Sequence, residues 1–334
     1  VSVLATGIGS MPGGDALGNE ADNARSYAEA VRVVVGELPD VVHVPELPGR
    51  GAGASMTGRG LAVMSGLGAD LQPAGWRLTD HSGVDHRRAR SLLAQDLDAV
   101  EELTQDFAGV FKTQVAGPWT LAATVEKPRG DKVLSDHGAR RELTESLAEG
   151  LRDHVADVRR RMTQASELII QIDEPALPAV LAAQIPTASG WGKHRAVHPP
   201  EASAALELVC AAISDAGATP IVHSCAPGFP ITLVRGAGAR GISLDLDLLD
   251  TSSYDALADA VESGDRVLLG VVPTMNDLPT DKQVVERVLR LLDMLGLDLS
   301  PNLVITPACG LAGASTTRAR QALALAAGVA RSLA

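Results

Sequence analysis

Apolar residues fall into short, β-branched runs that recur from one end of the chain to the other, at 3–8, 41–46, 110–115, 168–173, 220–225, 241–246, 266–271 and 303–308. Each run is about five or six residues long and near-continuously apolar, which is the pattern of a strand buried on both faces of a parallel sheet. Between the runs, apolar positions take the helical period at 21–38, 87–108, 138–166, 201–217, 254–263, 281–295 and 317–333. Glycines such as Gly217 and Gly264 break the pattern just before a strand begins. This alternation predicts an α/β fold, a (β/α)8 TIM barrel, with a doubly wound open sheet as the competing architecture. No Pro/Ser-rich linker or shift in composition interrupts it, so residues 1–334 read as a single domain.

One connection is too long for a plain barrel. Residues 48–109, between the second and third predicted strands, contain a Gly-rich loop (Gly49, Gly51, Gly53), a short helix near 55–66, a hairpin carrying Trp76, and a long helix. An insertion of this size is expected to be a functional cover, with a structural cap at the far end of the barrel as the plainer alternative.

Composition narrows the function classes. The 334 residues are 46% hydrophobic and 21% charged, a globular balance, and only 2% aromatic, so the core must be built from Ala, Val, Leu and Ile. A net charge of −12 argues against a nucleic-acid partner. The longest nearly apolar stretch, 322–330, is too short to span a bilayer. The N-terminus lacks the basic-then-apolar layout of a signal peptide, and the chain does not open on Met, which is consistent with trimming. Three cysteines make no disulfide framework. The expected setting is the cytoplasm.

In a barrel of this kind the site forms at the C-terminal ends of the strands. Those ends carry Ile8-Gly9-Ser10, Glu46, Lys112 running into Gly117-Pro118-Trp119-Thr120, Asp173-Glu174, His223-Ser224-Cys225, Asp245 with Asp247, and Cys309-Gly310. His223 and Cys225 are two residues apart and point to one face of their strand, while Cys309 ends the last strand, which closes onto the first. A histidine and two thiolates form a soft ligand set suited to zinc, and Asp245 can offer a fourth, oxygen ligand. The plainer alternative treats the cysteines as small buried hydrophobes, as Cys210 is expected to be in its apolar helix.

Taken together, these strings resemble the catalytic C-terminal barrel of cobalamin-independent methionine synthase, a family grouped with uroporphyrinogen decarboxylase in one barrel superfamily. The resemblance covers nearly the whole chain in order. It is carried by Ile8-Gly9-Ser10, by Lys112 to Thr120, by Ile170-Gln171-Ile172-Asp173-Glu174-Pro175-Ala176-Leu177, and by His223-Ser224-Cys225 with Pro307-Ala308-Cys309-Gly310-Leu311. It implies Zn2+ held by His223, Cys225 and Cys309. It also implies an acidic pair, Glu46 and Asp173, for a substrate ammonium group, and donors from Ile8 and Ser10 for its carboxylate. The family's fourth ligand is a glutamate; here Asp245 stands in its place, with Asp247 as the alternative. The family's proton-donating histidine falls near Met275, in 270–276. The family's N-terminal barrel, which helps hold a folate polyglutamate tail, has no counterpart in this chain.

The implied activity is zinc-dependent methyl transfer to the thiol of homocysteine, of the 5-methyltetrahydropteroyltriglutamate–homocysteine type, with a methylfolate or a corrinoid carrier as donor. Trp76 and Trp119 can offer a ring to a pterin or can simply pack in the core, and weak use of folate is expected. Two alternatives remain. A porphyrinogen-type decarboxylase would draw on Arg50 and Arg59 for substrate carboxylates. A non-catalytic zinc-binding or methyl-carrier-binding barrel would follow from loss of the acid at Met275.

Overall fold

The computed structural model describes residues 2–275 and 277–334; Asn276, at the end of the stretch expected to hold the proton donor, lies outside the described residues. The described residues form ten strands: β1 (Leu4–Ala5), β2 (Val41–His43), β3 (Gly68–Gln72), β4 (Gly75–Thr79), β5 (Val110–Ala116), β6 (Glu167–Asp173), β7 (Thr219–Ser224), β8 (Gly241–Asp245), β9 (Arg266–Val272) and β10 (Leu303–Pro307). Eight of them form one parallel sheet in the order β1-β10-β9-β8-β7-β6-β5-β2, and β3 pairs with β4 in a separate antiparallel hairpin. The ends of that order, β1 and β2, meet just beyond their last residues, where Ser10 and Glu46 form a parallel bridge. The Met11 N–H donates to the Glu46 carbonyl at 2.8 Å and the Glu46 N–H to the Gly9 carbonyl at 3.1 Å. The sheet is thus a nearly closed (β/α)8 barrel, as the apolar pattern predicts.

All eight predicted barrel strands are found in place, but the first two are shorter than their apolar runs. Proline explains both. Along β1 the Thr6 N–H still donates to the Ile305 carbonyl, but the next donor on the facing strand would be Pro307, which has no N–H. On β2 the residue after Val44 is Pro45, and the Val44 carbonyl is taken instead by the side-chain amide of Gln114 at 2.8 Å.

The long helices match the predicted periods closely. The helix Asp281–Leu295 opens on a Thr280–Gln283 capping box and stops at Gly296, which has a left-handed φ of 67°. Three short helices, Pro118–Thr124, Leu177–Leu181 and Ile231–Gly236, escape a periodicity reading because five to seven residues hold too few turns to show one. Among the described residues no helix is long and apolar enough to cross a membrane.

Strand alternation sorts the interior into layers. Ile169, Ile221, Leu268 and Val304, with Leu4 and Val110 against them, form an apolar plug at the N-terminal end of the barrel. Two residues further along the same inward faces come Lys112, Gln171 and His223, and then Gln114, Asp173 and Cys225. The polar layers therefore sit at the C-terminal mouth on a dry floor.

Residues 48–109 are an ordered flank of that mouth rather than a free-standing cover. They comprise the helix Met56–Val63, the β3–β4 hairpin and the helix Val84–Leu103. The helix Met56–Val63 packs on β5 and on the helix His137–Arg161. The second contact depends on Gly150: a Cβ there would lie 1.9 Å from the Val63 carbonyl oxygen and 2.8 Å from its carbon. We predict that Gly150→Ala destabilises the protein by about 1–3 kcal/mol, the usual cost of overpacking a tight contact. Urea denaturation would show it, and an unchanged midpoint would mean that this helix end is not fixed.

Candidate metal and substrate site

His223 is the inward residue near the end of β7, and Cys225 follows in the loop beyond it. Cys309 lies two residues after the end of β10. One ligand atom from each of the three lies within 4.8 Å of the others, so the group could hold a metal ion. His223 is buried, and both cysteines are partly open to the mouth. Ser243, the register partner of His223 on β8, places its hydroxyl 2.9 Å from His223 Nδ1. That contact orients the ring and leaves Nε2 for the sulfurs. The Cys309 sulfur beside it, then burial, raises the Cys225 thiol well above an ordinary one. The Cys225 thiol, with His223 adding to its effect, holds Cys309 well below one. A cation bound by both sulfurs would draw off their protons.

The structure does not bring the expected fourth ligand into this group. Asp245 ends β8, half-buried, with its carboxylate accepting from the Asp247 N–H at 2.9 Å. Burial raises its pKa, and the neighbouring Asp247 and Cys309 add to the shift. Asp247 is a clear departure. The strand ends at Asp245 and a 3-10 turn, Leu246–Leu248, follows, so two-residue alternation no longer applies. Asp247 points outward, exposed, and pairs with Arg287.

The acidic pair is held in two different ways. Asp173, at the end of β6, accepts from Gln171 Nε2 through Oδ1 at 2.7 Å, and burial raises it to about 6. Gln171 also donates to the Ile8 carbonyl at 2.9 Å and accepts from Lys112 Nζ at 2.8 Å. Lys112 is fully buried, lowered by that burial to about 8, and donates to the same Ile8 carbonyl at 2.8 Å. It makes no ion pair with Asp173 or Glu174. Glu174 instead accepts from the Trp119 and Thr120 N–H groups and the Thr120 hydroxyl, capping the helix Pro118–Thr124. Glu46 accepts from Arg59 Nε through Oε1 at 3.1 Å. The other carboxylate oxygens, Glu46 Oε2 and Asp173 Oδ2, have no protein donor among the described residues.

The loop Ile8-Gly9-Ser10 lies between these groups. Its Ile8 carbonyl is fixed by Lys112 and Gln171, while neither the Ile8 nor the Ser10 N–H donates to a protein acceptor among the described residues. The Ser10 carbonyl accepts from the Leu311 N–H at 2.8 Å. The approach is so close that a Cβ on Gly310 would lie 2.0 Å from the Ser10 hydroxyl oxygen. The first and last strands thereby present their loops as one wall.

Other expectations resolve simply. Arg50 and Arg59 are both buried and both spent on carboxylates: Arg50 binds Asp96 through two bonds of 2.8 and 2.7 Å, and Arg59 bridges Asp96 at 2.6 Å and Glu46. They form no open basic pocket. Trp119 is buried with its N–H on the Ala202 carbonyl, and Trp76 is buried in the hairpin, so both rings are packed against the core. Met275 is 70% exposed, beyond the end of β9. Cys210 is buried in its helix, with burial raising it to about 12, as a structural thiol should be. Sequence reasoning missed Ser243 and Asp96. Ser243 had a signal, since it lies two residues before Asp245 on the same face; Asp96 had none.

A family model described as "Cobalamin-independent synthase, Catalytic domain" matches residues 100–332. No curated protein matches the chain. A B12-independent methionine synthase from Shewanella sp. W3-18-1, solved in complex with selenomethionine, has a TM-score of 0.66 at 15% identity, over 99% of this chain and 97% of that one. A GH5_18 protein from Streptomyces cattleya in complex with GlcNAc gives 0.48 at 13% identity, over 99% of this chain and 80% of that one. A β-1,4-D-mannanase from Cryptopygus antarcticus gives 0.44 at 13% identity, over 96% and 90%.

The buried ion network behind Glu46 yields a direct expectation. Asp96 is the only carboxylate that Arg50 contacts among the described residues, and it also neutralises Arg59. Asp96→Ala should cost about 3–5 kcal/mol, because it strands buried guanidinium charge. Thermal or urea unfolding measures this, and a loss below about 1 kcal/mol would mean that solvent reaches the network.

Proposed function

We propose, for a chain that belongs to the family of cobalamin-independent synthase catalytic domains, that it is a zinc-dependent S-methyltransferase acting on the thiol of homocysteine. The observation that carries this reading is the convergence of His223, Cys225 and Cys309 at a mouth that also holds two buried carboxylates, each with one oxygen lacking a protein donor. The donor set fits zinc chemically: one imidazole with its other nitrogen anchored, and two sulfurs that can bind as thiolates. Asp245, half-buried at the end of β8, is the proposed added oxygen ligand. When bound there, zinc would lower the pKa of a substrate thiol and so provide a thiolate nucleophile at neutral pH.

The chain's own residues supply the rest. Glu46 Oε2 and Asp173 Oδ2 accept from the substrate ammonium group, which needs such partners once it leaves water. The free N–H groups of Ile8 and Ser10, with the Ser10 hydroxyl, donate to its carboxylate. Lys112 and Gln171 hold that loop and Asp173 in fixed relation. An amino acid held by its α-ammonium and α-carboxylate groups keeps its side-chain sulfur free to reach Cys225 and Cys309. The methionine synthase of similar fold is described with selenomethionine, the selenoether analogue of the proposed thioether product. We further propose that residues 1–334 act as one barrel domain, with 48–109 as part of its mouth.

The decarboxylase reading loses its support because Arg50 and Arg59 are already paired. One observation favours a non-catalytic binder: Met275, near which the resemblance puts the acid, is exposed and cannot transfer a proton.

Two expectations follow for the purified protein. It should hold one zinc per chain; Cys225→Ser and Cys309→Ser should abolish retention in folded protein, and Ser243→Ala should weaken it about 10–100-fold. Elemental analysis decides this, and unchanged metal in both cysteine variants would remove the site. With homocysteine as acceptor, the chain should use triglutamyl methylfolate poorly and a methylcorrinoid better. The reasons are its charge of −12 and the burial of both candidate stacking rings. Steady-state rates compare the donors; efficient folate turnover would overturn the donor preference, and no turnover with either would favour the binder.

A further inference from the structure

Arg59 reaches Glu46 from the inserted segment, not from a barrel strand. It lies on the helix Met56–Val63, whose first turn is capped by the Ser55 hydroxyl at 3.3 Å from the Gly58 N–H. Its Nε sits 3.1 Å from Glu46 Oε1, and its Nη1 sits 2.6 Å from Asp96 Oδ2. Asp96, on the helix Val84–Leu103, is gripped on both oxygens by Arg50, whose guanidinium lies 4.6 Å from the centre of the Tyr27 ring. The side chains of Arg59, Glu46, Asp96 and Arg50 are all at most 7% exposed. Arg59 is anchored through Nη1 to the Asp96–Arg50 pair, so the planar guanidinium has little freedom left, and the Glu46 oxygen bonded to its Nε has little as well.

We propose that Arg59 is a positioning residue for substrate recognition: it fixes the Glu46 carboxylate so that Oε2 meets an α-ammonium group on the incoming thiol. This rests on the reading of Glu46 as an ammonium partner given above. Arg59 neutralises the charge of Glu46 while fixing its direction. Glu46 therefore contributes an aimed acceptor, and Asp173, which has no cationic side chain bonded to it, supplies the charge that attracts the ammonium group. The barrel alone lacks this device; residues 48–109 bring it.

The two effects of removing Arg59 have opposite signs. Losing its charge would strengthen attraction for an ammonium group, whereas losing its grip would weaken binding. Positioning requires the second to win. The test compares binding of homocysteine with binding of 4-mercaptobutanoate, its analogue without the amino group, in zinc-loaded wild-type protein, Arg59→Met and Arg59→Lys. Wild type should prefer homocysteine. Arg59→Met should weaken homocysteine about tenfold or more, leave 4-mercaptobutanoate and zinc content unchanged, and show a displaced Glu46 side chain in a crystal structure. Arg59→Lys, which keeps the charge without the fork, should lie between; it also serves if the Met variant does not fold. In a Glu46→Gln background the Arg59 effect should shrink to about twofold or less, because the residue acts through Glu46.

Tighter or unchanged homocysteine binding in the Arg59 variants would overturn the positioning role, and so would an equal loss for both thiols. A wild-type protein that does not distinguish the two thiols would instead overturn the substrate reading on which this inference rests.

Discussion

The barrel has one seam that its ladder does not close, and much of the mouth is organised around it. Pro307 and Pro45 cut short the backbone pairing of the first two strands. The chain rejoins only one layer higher, through the bridge between Ser10 and Glu46. A gap in a parallel sheet would leave buried amides and carbonyls without partners, a cost the fold meets with side chains. Gln114 takes the Val44 carbonyl, the Thr6 hydroxyl donates to the Val41 carbonyl, and Lys112 and Gln171 share the Ile8 carbonyl. These repairs place a polar layer above an apolar floor. The groups that satisfy the seam are thus the same groups that shape the mouth.

Much of this was legible in the sequence. Buried parallel strands leave a direct trace, since both faces must be apolar, and all eight appeared at their positions. The pairing of His223 with Cys225 followed from two-residue alternation, and Cys309 from the closure of the last strand onto the first. What was not legible depends on tertiary proximity. Nothing near position 96 announces that an aspartate there will sit between two arginines from a segment about forty residues earlier. Alternation also misled once, at Asp247, because it was applied across the end of a strand. The three short helices were invisible for want of turns.

Electrostatics at the mouth follow from burial rather than net charge. The chain carries −12 overall, yet Glu46 is matched by Arg59 and Asp96 is shared between two arginines. Asp173 differs: it is buried, raised to about 6, and bonded through one oxygen to a neutral amide. Local charge of that kind is costly when empty and favourable when a cation arrives, which is how a deep site can select for ammonium on an acidic surface.

The wall formed by Ser10 and Leu311 carries a mechanical consequence. The 2.8 Å bond between them and the side-chain-free approach of Gly310 leave almost no slack between the loop that bears Cys309 and the loop Ile8-Gly9-Ser10. Two loops from opposite ends of the chain behave as a single rigid jaw. A ligand that touches one of them is already registered against the other, so the energy of contact is not spent on bringing the two halves together. Mutational drift is constrained in the same way, because a shift tolerated by either loop alone would have to be matched by the other.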